Sequence, residues 1–228
     1  MTRFLLIRHA ANDFVKTNRL AGWTAGVELN EEGRAQAAAL GARLAREPLD
    51  QLYASPLERT MQTAAAIQQH HPRLRIHQHP GVGEVRYGDW EGAQINVLAR
   101  RKAWRVVQET PSRARFPNGE TMRAVQQRIV DALEELTLRW PGALVAVVFH
   151  ADLAKMALAH YLGMHLDLFQ RIEIAPASIS RLTLGYGRPR VSGLNDVAHL
   201  EELETSRKAR GGNGSRPGRR GERAHARH

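Results

Sequence analysis

Two histidines in this chain each stand at the end of a short, wholly apolar run. Phe4-Leu5-Leu6-Ile7 leads through Arg8 into His9, and Ala143-Leu144-Val145-Ala146-Val147-Val148-Phe149 leads into His150. Imidazole can act as a nucleophile or carry protons near neutral pH, and a guanidinium beside it offers paired donors for an anion. A second arginine, Arg59, follows Ser55-Pro56-Leu57-Glu58. There Ser55 can cap a helix, Pro56 suits its first turn and Glu58 completes a capping box, which places Arg59 near the positive end of that helix. The remaining chemical group is a carboxyl in the glycine-rich segment 81–92, either Glu84 or Glu91. Glycines at that density indicate a sharply bent backbone, and Tyr87 or Trp90 can partly desolvate a carboxyl beside them. Burial would raise its pKa toward what a proton donor needs. The residues alone do not choose between the two acids, and each histidine taken singly also suits a core position satisfied by backbone.

The elements that must hold these groups follow from apolar pattern and punctuation. A four- to seven-residue apolar run without alternation reads as a strand buried on both faces, and in an open parallel sheet ligands bind beyond the carboxyl ends of such strands. Both histidines then stand at a ligand-binding edge. Residues 49–54 form a further strand candidate. Helices are expected over about 31–46, where Asn30 caps and Ala37, Leu40 and Leu44 share a face, over 56–69, over 121–139 with Met122, Val125, Ile129, Leu133 and Leu136 as its stripe, and over 151–162. Segment 95–107 reads as mixed helix, 172–175 and 179–184 as strands, and a last short strand lies near Val191, with 194–196 closing the fold. This alternation predicts an α/β protein: a three-layer α/β/α sandwich around a mostly parallel central sheet. The long loop 10–30 contains Arg19, a candidate wall of an anion pocket or an ordinary surface arginine. His70, His71, His77 and His79 cluster in sequence, but no carboxylate or cysteine joins them, so a surface segment is expected and no metal site.

Four stretches, in order, carry a family resemblance: Arg8-His9-Ala10; Ser55-Pro56-Leu57-Glu58-Arg59-Thr60-Met61-Gln62-Thr63-Ala64; Glu84 with Tyr87-Gly88-Asp89-Trp90-Glu91-Gly92; and Phe149-His150-Ala151. They resemble the motif blocks of the histidine phosphatase superfamily, in its phosphoglycerate mutase-like branch, over roughly the first 200 residues. The resemblance implies a phosphoglycerate mutase-like fold and a metal-independent phosphatase acting on small phosphomonoesters through a phosphohistidine, with no cofactor. His9 would be the nucleophile and Glu84, rather than Glu91, the acid. Arg8, Arg59, His150 and the backbone at Ala151 would hold the phosphoryl group. The family's usual glycine after the nucleophile is Ala10 here, and its asparagine six residues beyond the nucleophile is Val15, for which Asn12 or Asn18 would have to substitute. The family also covers its pocket with the segment between the acid and the long helix, here basic at Arg100, Arg101, Lys102 and Arg105. Two other functions remain open: a cofactor-dependent phosphoglycerate mutase, although no long water-excluding lid insertion is visible, and a catalytically idle phospholigand- or RNA-binding protein. A homodimer is an assembly the resemblance permits.

Composition sets the outer limits. The 228 residues, 43% hydrophobic, suffice for one α/β domain over 1–204. The net charge of +10 is concentrated at the end, where residues 205–228 carry eight Lys or Arg against Glu222 alone. That tail has no apolar residue larger than alanine, so disorder is expected, and a solvated appendage is the favoured reading over contact with nucleic acid. The absence of cysteine removes thiolate and disulfide chemistry. With no signal-peptide core or apolar span, a cytoplasmic protein is expected.

Overall fold

The computed structural model describes residues 1–201 and 203. In chain order the strands are β1 (Thr2–Arg8), β2 (Gln51–Ala54), β3 (Ile76–Gln78), β4 (Leu144–Phe149), β5 (Ile179–Leu184) and β6 (Arg190–Asp196). The helices are α1 (Asp13–Lys16), α2 (Glu31–Leu44), α3 (Glu58–Gln68), α4 (Ile95–Leu98), α5 (Lys102–Glu109), α6 (Met122–Arg139) and α7 (Ala151–Tyr161). The strands form one sheet in the order β3-β2-β4-β1-β5-β6. The first four in this order run parallel, and β5 and β6 complete the sheet in antiparallel fashion.

The apolar runs occupy the middle of the sheet because only there are both faces covered. Successive side chains alternate between the faces. Phe4, Leu6, Val145, Val147 and Phe149 pack with α6 and α7, whereas Leu5, Ile7, Ala146 and Val148 pack with α2 and α3. The result is the expected three-layer α/β/α sandwich with a mostly parallel sheet. Its core is closely filled: Leu40, Leu44, Ile129 and Leu133 are fully buried, and truncating any one to alanine should cost about 2–5 kcal/mol. Gly33, in the first turn of α2, lets this helix touch the loop just beyond His9, since a Cβ there would overlap the Ala11 carbonyl oxygen.

Several local expectations change. Helix α3 starts at Glu58, with Leu57 at its N-cap and no side-chain cap, so Ser55 does not cap it. The Thr60 hydroxyl instead reaches the carbonyl oxygens of Ser55 and Leu57 at 2.8 and 2.6 Å. Residues 172–175 form no strand, because their backbone groups pair with side chains: Ile174 O accepts from Arg8, and Ala175 N donates to Asn195 Oδ1. The mixed segment 95–107 divides into α4 and α5, and β3 adds an edge strand beside the histidine-rich stretch. The chain continues past Asp196 into a turn, Ala198–Leu200, whose Leu200 joins the α2 side of the core. The tail at 205–228, expected to be disordered, lies outside the described residues. Among the described residues no helix is long and apolar enough to cross a membrane.

Candidate active site

The site begins with strand register. Arg8 on β1 lies opposite Phe149 on β4, so the next residue of each chain segment emerges at the same edge. His9 N donates to Phe149 O at 2.9 Å, and the His9 and His150 rings stand 5.3 Å apart between centroids, at 63°. His9 Nδ1 lies 2.7 Å from Ala10 O. A carbonyl oxygen only accepts, so Nδ1 carries the proton and Nε2 keeps its lone pair. The following backbone is pinned to α3, with Ala10 N donating to Thr63 Oγ1 at 3.1 Å and that hydroxyl donating to Arg59 O at 2.8 Å.

Arg59 is fully buried in the first turn of α3. Its Nη2 donates to Gly22 O at 2.9 Å, while Nε and Nη1 are buried and have no hydrogen-bond partner. Arg8 donates from Nη1 to Ile174 O at 2.7 Å and leaves Nε equally unpartnered. Buried cationic donors left unsatisfied are costly, and an anion entering between them removes that cost. Burial lowers the pKa of both arginines, with Glu84 opposing the effect.

Glu84 reaches this hollow from the bent segment after β3. Its backbone carbonyl is held by Trp23 Nε1 at 2.7 Å and Arg128 Nη2 at 3.2 Å, and Arg128 is itself paired with Glu120 at 3.0 Å. Glu84 Oε1 accepts from Val85 N at 3.0 Å, and Oε2 lies 3.3 Å from His150 Nδ1 and 3.8 Å from Arg59 Nη2. His150 is completed by Ser55, whose Oγ is 2.9 Å from Nε2. Burial is the main cause of the proton affinities here. It pushes the Glu84 carboxyl up from 4.5 to about 7, against the pull of Arg59 and with a further push from Asp152. Burial and then Arg59 hold both histidines well below their ordinary 6.5, so the imidazoles are neutral at physiological pH.

A neutral imidazole with a free lone pair, two arginines with unspent donors and a carboxyl whose pKa is raised to about 7 can transfer a phosphoryl group. Among known proteins, the model of the histidine phosphatase superfamily (branch 1) matches residues 4–197. The chain belongs to this superfamily. It is 30% identical over 205 residues to phosphoserine phosphatase 1 of Hydrogenobacter thermophilus, an alignment covering 89% of this chain and 96% of that protein. It is 27% identical over 216 residues to a probable phosphoglycerate mutase, GpmB, of Cronobacter sakazakii, covering 88% and 96% of the two chains. The solved structure of Bacillus stearothermophilus YhfR superposes with a TM-score of 0.83 at 27% identity, covering 88% of this chain and all of that one (100%). Family and relatives make the chain a phosphatase enzyme.

Within this histidine phosphatase, Arg8, His9, Arg59, Glu84 and His150 meet in one hollow, and Ala151 opens α7 beside it. Asn12 is buried but caps α1, its Oδ1 accepting from Val15 N at 2.9 Å, while its Nδ2 has no partner. Asn18 takes a left-handed turn at φ +53°, and Val15 is exposed. Arg19 is exposed too, donating from Nε to Gly92 O at 2.8 Å and lying over the Phe14 ring, so its guanidinium is engaged in the loop rather than in the buried cluster. Glu91 packs against Gly22, where a Cβ would strike its side chain. The basic residues Arg100, Arg101, Lys102 and Arg105 are all exposed, and Arg105 pairs with Glu109 at 2.7 Å. That run is solvated, with Arg100 and Arg101 in the turn between α4 and α5 and Lys102 and Arg105 on α5. Among the described residues no group of three or more His, Cys, Asp or Glu is placed to hold a metal ion. His71 instead bonds Leu44 O, and His79 accepts from Gly81 N.

Sequence reasoning missed Ser55, Trp23 and Arg128 as parts of the site. Ser55 was visible but had a competing role as a cap. Arg128 carries no local signal, since it grips the carbonyls of Gly81, Gly83 and Glu84 from the distant helix α6.

Proposed function

We propose that this histidine phosphatase hydrolyses small phosphomonoesters through a phosphohistidine on His9, without a metal ion. The observation that carries the reading is the free Nε2 of a His9 ring fixed through Nδ1, beside two arginines whose buried donors have no partner. The arginines and His150 bind the phosphoryl oxygens, neutralising charge that develops as the P–O bond stretches. His9 Nε2 forms the P–N bond while the P–O bond to the leaving group breaks, and Glu84 gives its proton to the departing oxygen. Water then attacks phosphorus and the P–N bond breaks. Glu84, now a carboxylate, takes the water proton, and phosphate leaves. A cytoplasmic location is part of the same proposal.

Two relatives suggest leaving groups to try first, because one is named a phosphoserine phosphatase and another a probable phosphoglycerate mutase. The test is a panel of phosphomonoesters, including phosphoserine and both phosphoglycerates, assayed with excess chelator for phosphate release and for isomer formation. Phosphate release that survives the chelator and disappears in His9→Ala, together with an acid-labile phosphoenzyme in the wild type only, is the expected result. Full turnover by His9→Ala would refute the covalent route. Isomer formation outpacing phosphate release would identify a mutase instead.

A further inference from the structure

We infer that Asp152 is a specificity-determining residue of the same hollow, selecting phosphomonoesters whose leaving alcohol carries an ammonium group. Its consequence for turnover rests on the phosphatase reading above, whereas the preference in binding stands apart from it.

Asp152 lies in the first turn of α7, two residues beyond His150, and is half-buried. Its Oδ2 accepts from the Tyr87 hydroxyl at 3.0 Å. Tyr87 follows Glu84 by three residues and is buried, its ring edge-on to Phe116 at 4.9 Å between centroids and close to Gly22, the residue whose carbonyl accepts from Arg59. Burial, and then Asp152, push the Tyr87 hydroxyl well above its ordinary 10, so it stays a donor. The carboxylate is thus tied through one oxygen to the wall that carries the acid. Among the described residues its other oxygen has no hydrogen-bond partner, and no cation stands within ion-pair distance. The nearest candidate along the helix, Lys155, donates instead to Gln170 Oε1 at 3.0 Å.

An unpaired carboxylate is an odd neighbour for an anion site, and charge balance says what it is for. Arg8 and Arg59 together match a phosphoryl dianion, both histidines are neutral, and Glu84 is uncharged while it holds the acid proton. Asp152, whose charge is felt at Arg8 and at Glu84, leaves one negative charge in excess once the ester is bound. Two other carboxylates act on Arg59 more weakly, and each is held in place elsewhere: Glu58 by Gly26 N at 3.1 Å, and Glu91 against Gly22. Unbalanced charge is costly in a desolvated site. An ammonium on the leaving group removes the excess and gives the free carboxylate oxygen a charged donor. The leaving oxygen must meet Glu84, so the alcohol beyond it lies beside the segment to which Tyr87 ties Asp152. An alcohol bearing a carboxylate would add to the excess and is disfavoured. The competing role for Asp152 is a plain acidic residue stabilising the N-terminus of α7, which predicts no discrimination among leaving groups.

The experiment uses O-phosphoethanolamine, n-propyl phosphate and phosphoglycolate, which end a short chain in an ammonium, a methyl and a carboxylate. For each, kcat/KM is measured at pH 7 in excess chelator for the wild type and Asp152→Asn, and Kd is measured on His9→Ala with and without Asp152→Asn. Asparagine keeps an oxygen to accept from Tyr87 and removes the charge. Any change it makes to the proton affinity of Glu84 affects all three esters alike and drops out of the ratios. The preference for the ammonium ester over the methyl ester should fall roughly 10–100-fold in Asp152→Asn, and the bias against the carboxylate ester should shrink with it. A wild type that binds and cleaves the methyl ester as well as the ammonium ester overturns the inference without any variant, as does an unchanged ratio in a folded Asp152→Asn. In either case turnover of the esters leaves the phosphatase reading standing. No turnover of any ester, with the ammonium preference present in Kd and lost in Asp152→Asn, would overturn that reading and uphold the role of Asp152.

Discussion

Replacing Glu84 with glutamine should stabilise the ligand-free protein relative to the wild type, by an amount that grows as pH rises. Glu84 is 8% exposed, and burial raises its pKa from 4.5 to about 7. The folded state therefore holds a proton there that the unfolded chain has already released. A group raised in this way contributes its stability fully below pH 4.5 and loses it as pH climbs through 7. At about 1.4 kcal/mol for each tenfold change in proton affinity, the loss comes to about 3 kcal/mol. Glutamine has nearly the same volume and no charge to bury, so it escapes this loss. Its steric effects are constant with pH, and all other titrating groups are common to both proteins. The stability difference between variant and wild type should therefore increase by about 3 kcal/mol from pH 4 to pH 8.5. The assay is urea denaturation of both proteins across that range in phosphate-free buffer, where the relative midpoint should move by roughly 1 M or more. A difference that stays flat, or that moves against glutamine with rising pH, would refute the reasoning. It would mean that Arg8 and Arg59 hold Glu84 as a stable carboxylate, which could not serve as the acid. The opposite effect on catalysis is the familiar conflict between stability and an active site built under electrostatic tension.

The same proton appears in the kinetics. In the free enzyme kcat/KM should fall about tenfold per pH unit above roughly pH 7 as Glu84 ionises, with the neutral form of His9 persisting well below 6.5, and Glu84→Gln should abolish the alkaline limb. A profile from pH 5 to 9 that stays level above 8 would remove Glu84 from the acid role. Arg59→Met deletes a buried cation with two unpartnered donor nitrogens, so kcat/KM should drop by roughly 10²–10³. Its stability at pH 6 without phosphate should be unchanged or higher. At 100 times the Kd, inorganic phosphate should stabilise the wild type by about 2.7 kcal/mol. The variant should gain far less at that concentration, and equal stabilisation would show that the anion binds elsewhere.

Much of this site was legible because its parts sit at element ends that local sequence announces. The apolar runs before His9 and His150 have no polar face, so they could only be central strands, and parallel neighbours bring their ends together. The spacing in α6 likewise gave a buried stripe that the structure keeps at Met122, Val125, Ile129, Leu133 and Leu136. Other readings failed where a backbone or side-chain group had two plausible partners. Ser55 carries the signature of a helix cap, yet the chain turns at Leu57 and the hydroxyl goes to His150. Residues 172–175 have the alternation of a strand, but Arg8 and Asn195 take their hydrogen bonds. Arg19 and the basic run near Arg101 had the right charge for an anion pocket, and no local pattern says that they face outward.

The two strand-end histidines and the long helices were determined by the sequence alone, since period and composition act over neighbouring residues. Tertiary structure decided what those groups can do. Arg59 and His150 are 91 positions apart yet only 3.4 Å from each other, and Glu84 has its proton affinity set by the burial and by Arg59, Asp152 and Arg8 around it. Desolvation and Coulomb interaction depend on distance through space, and only the folded chain sets those distances.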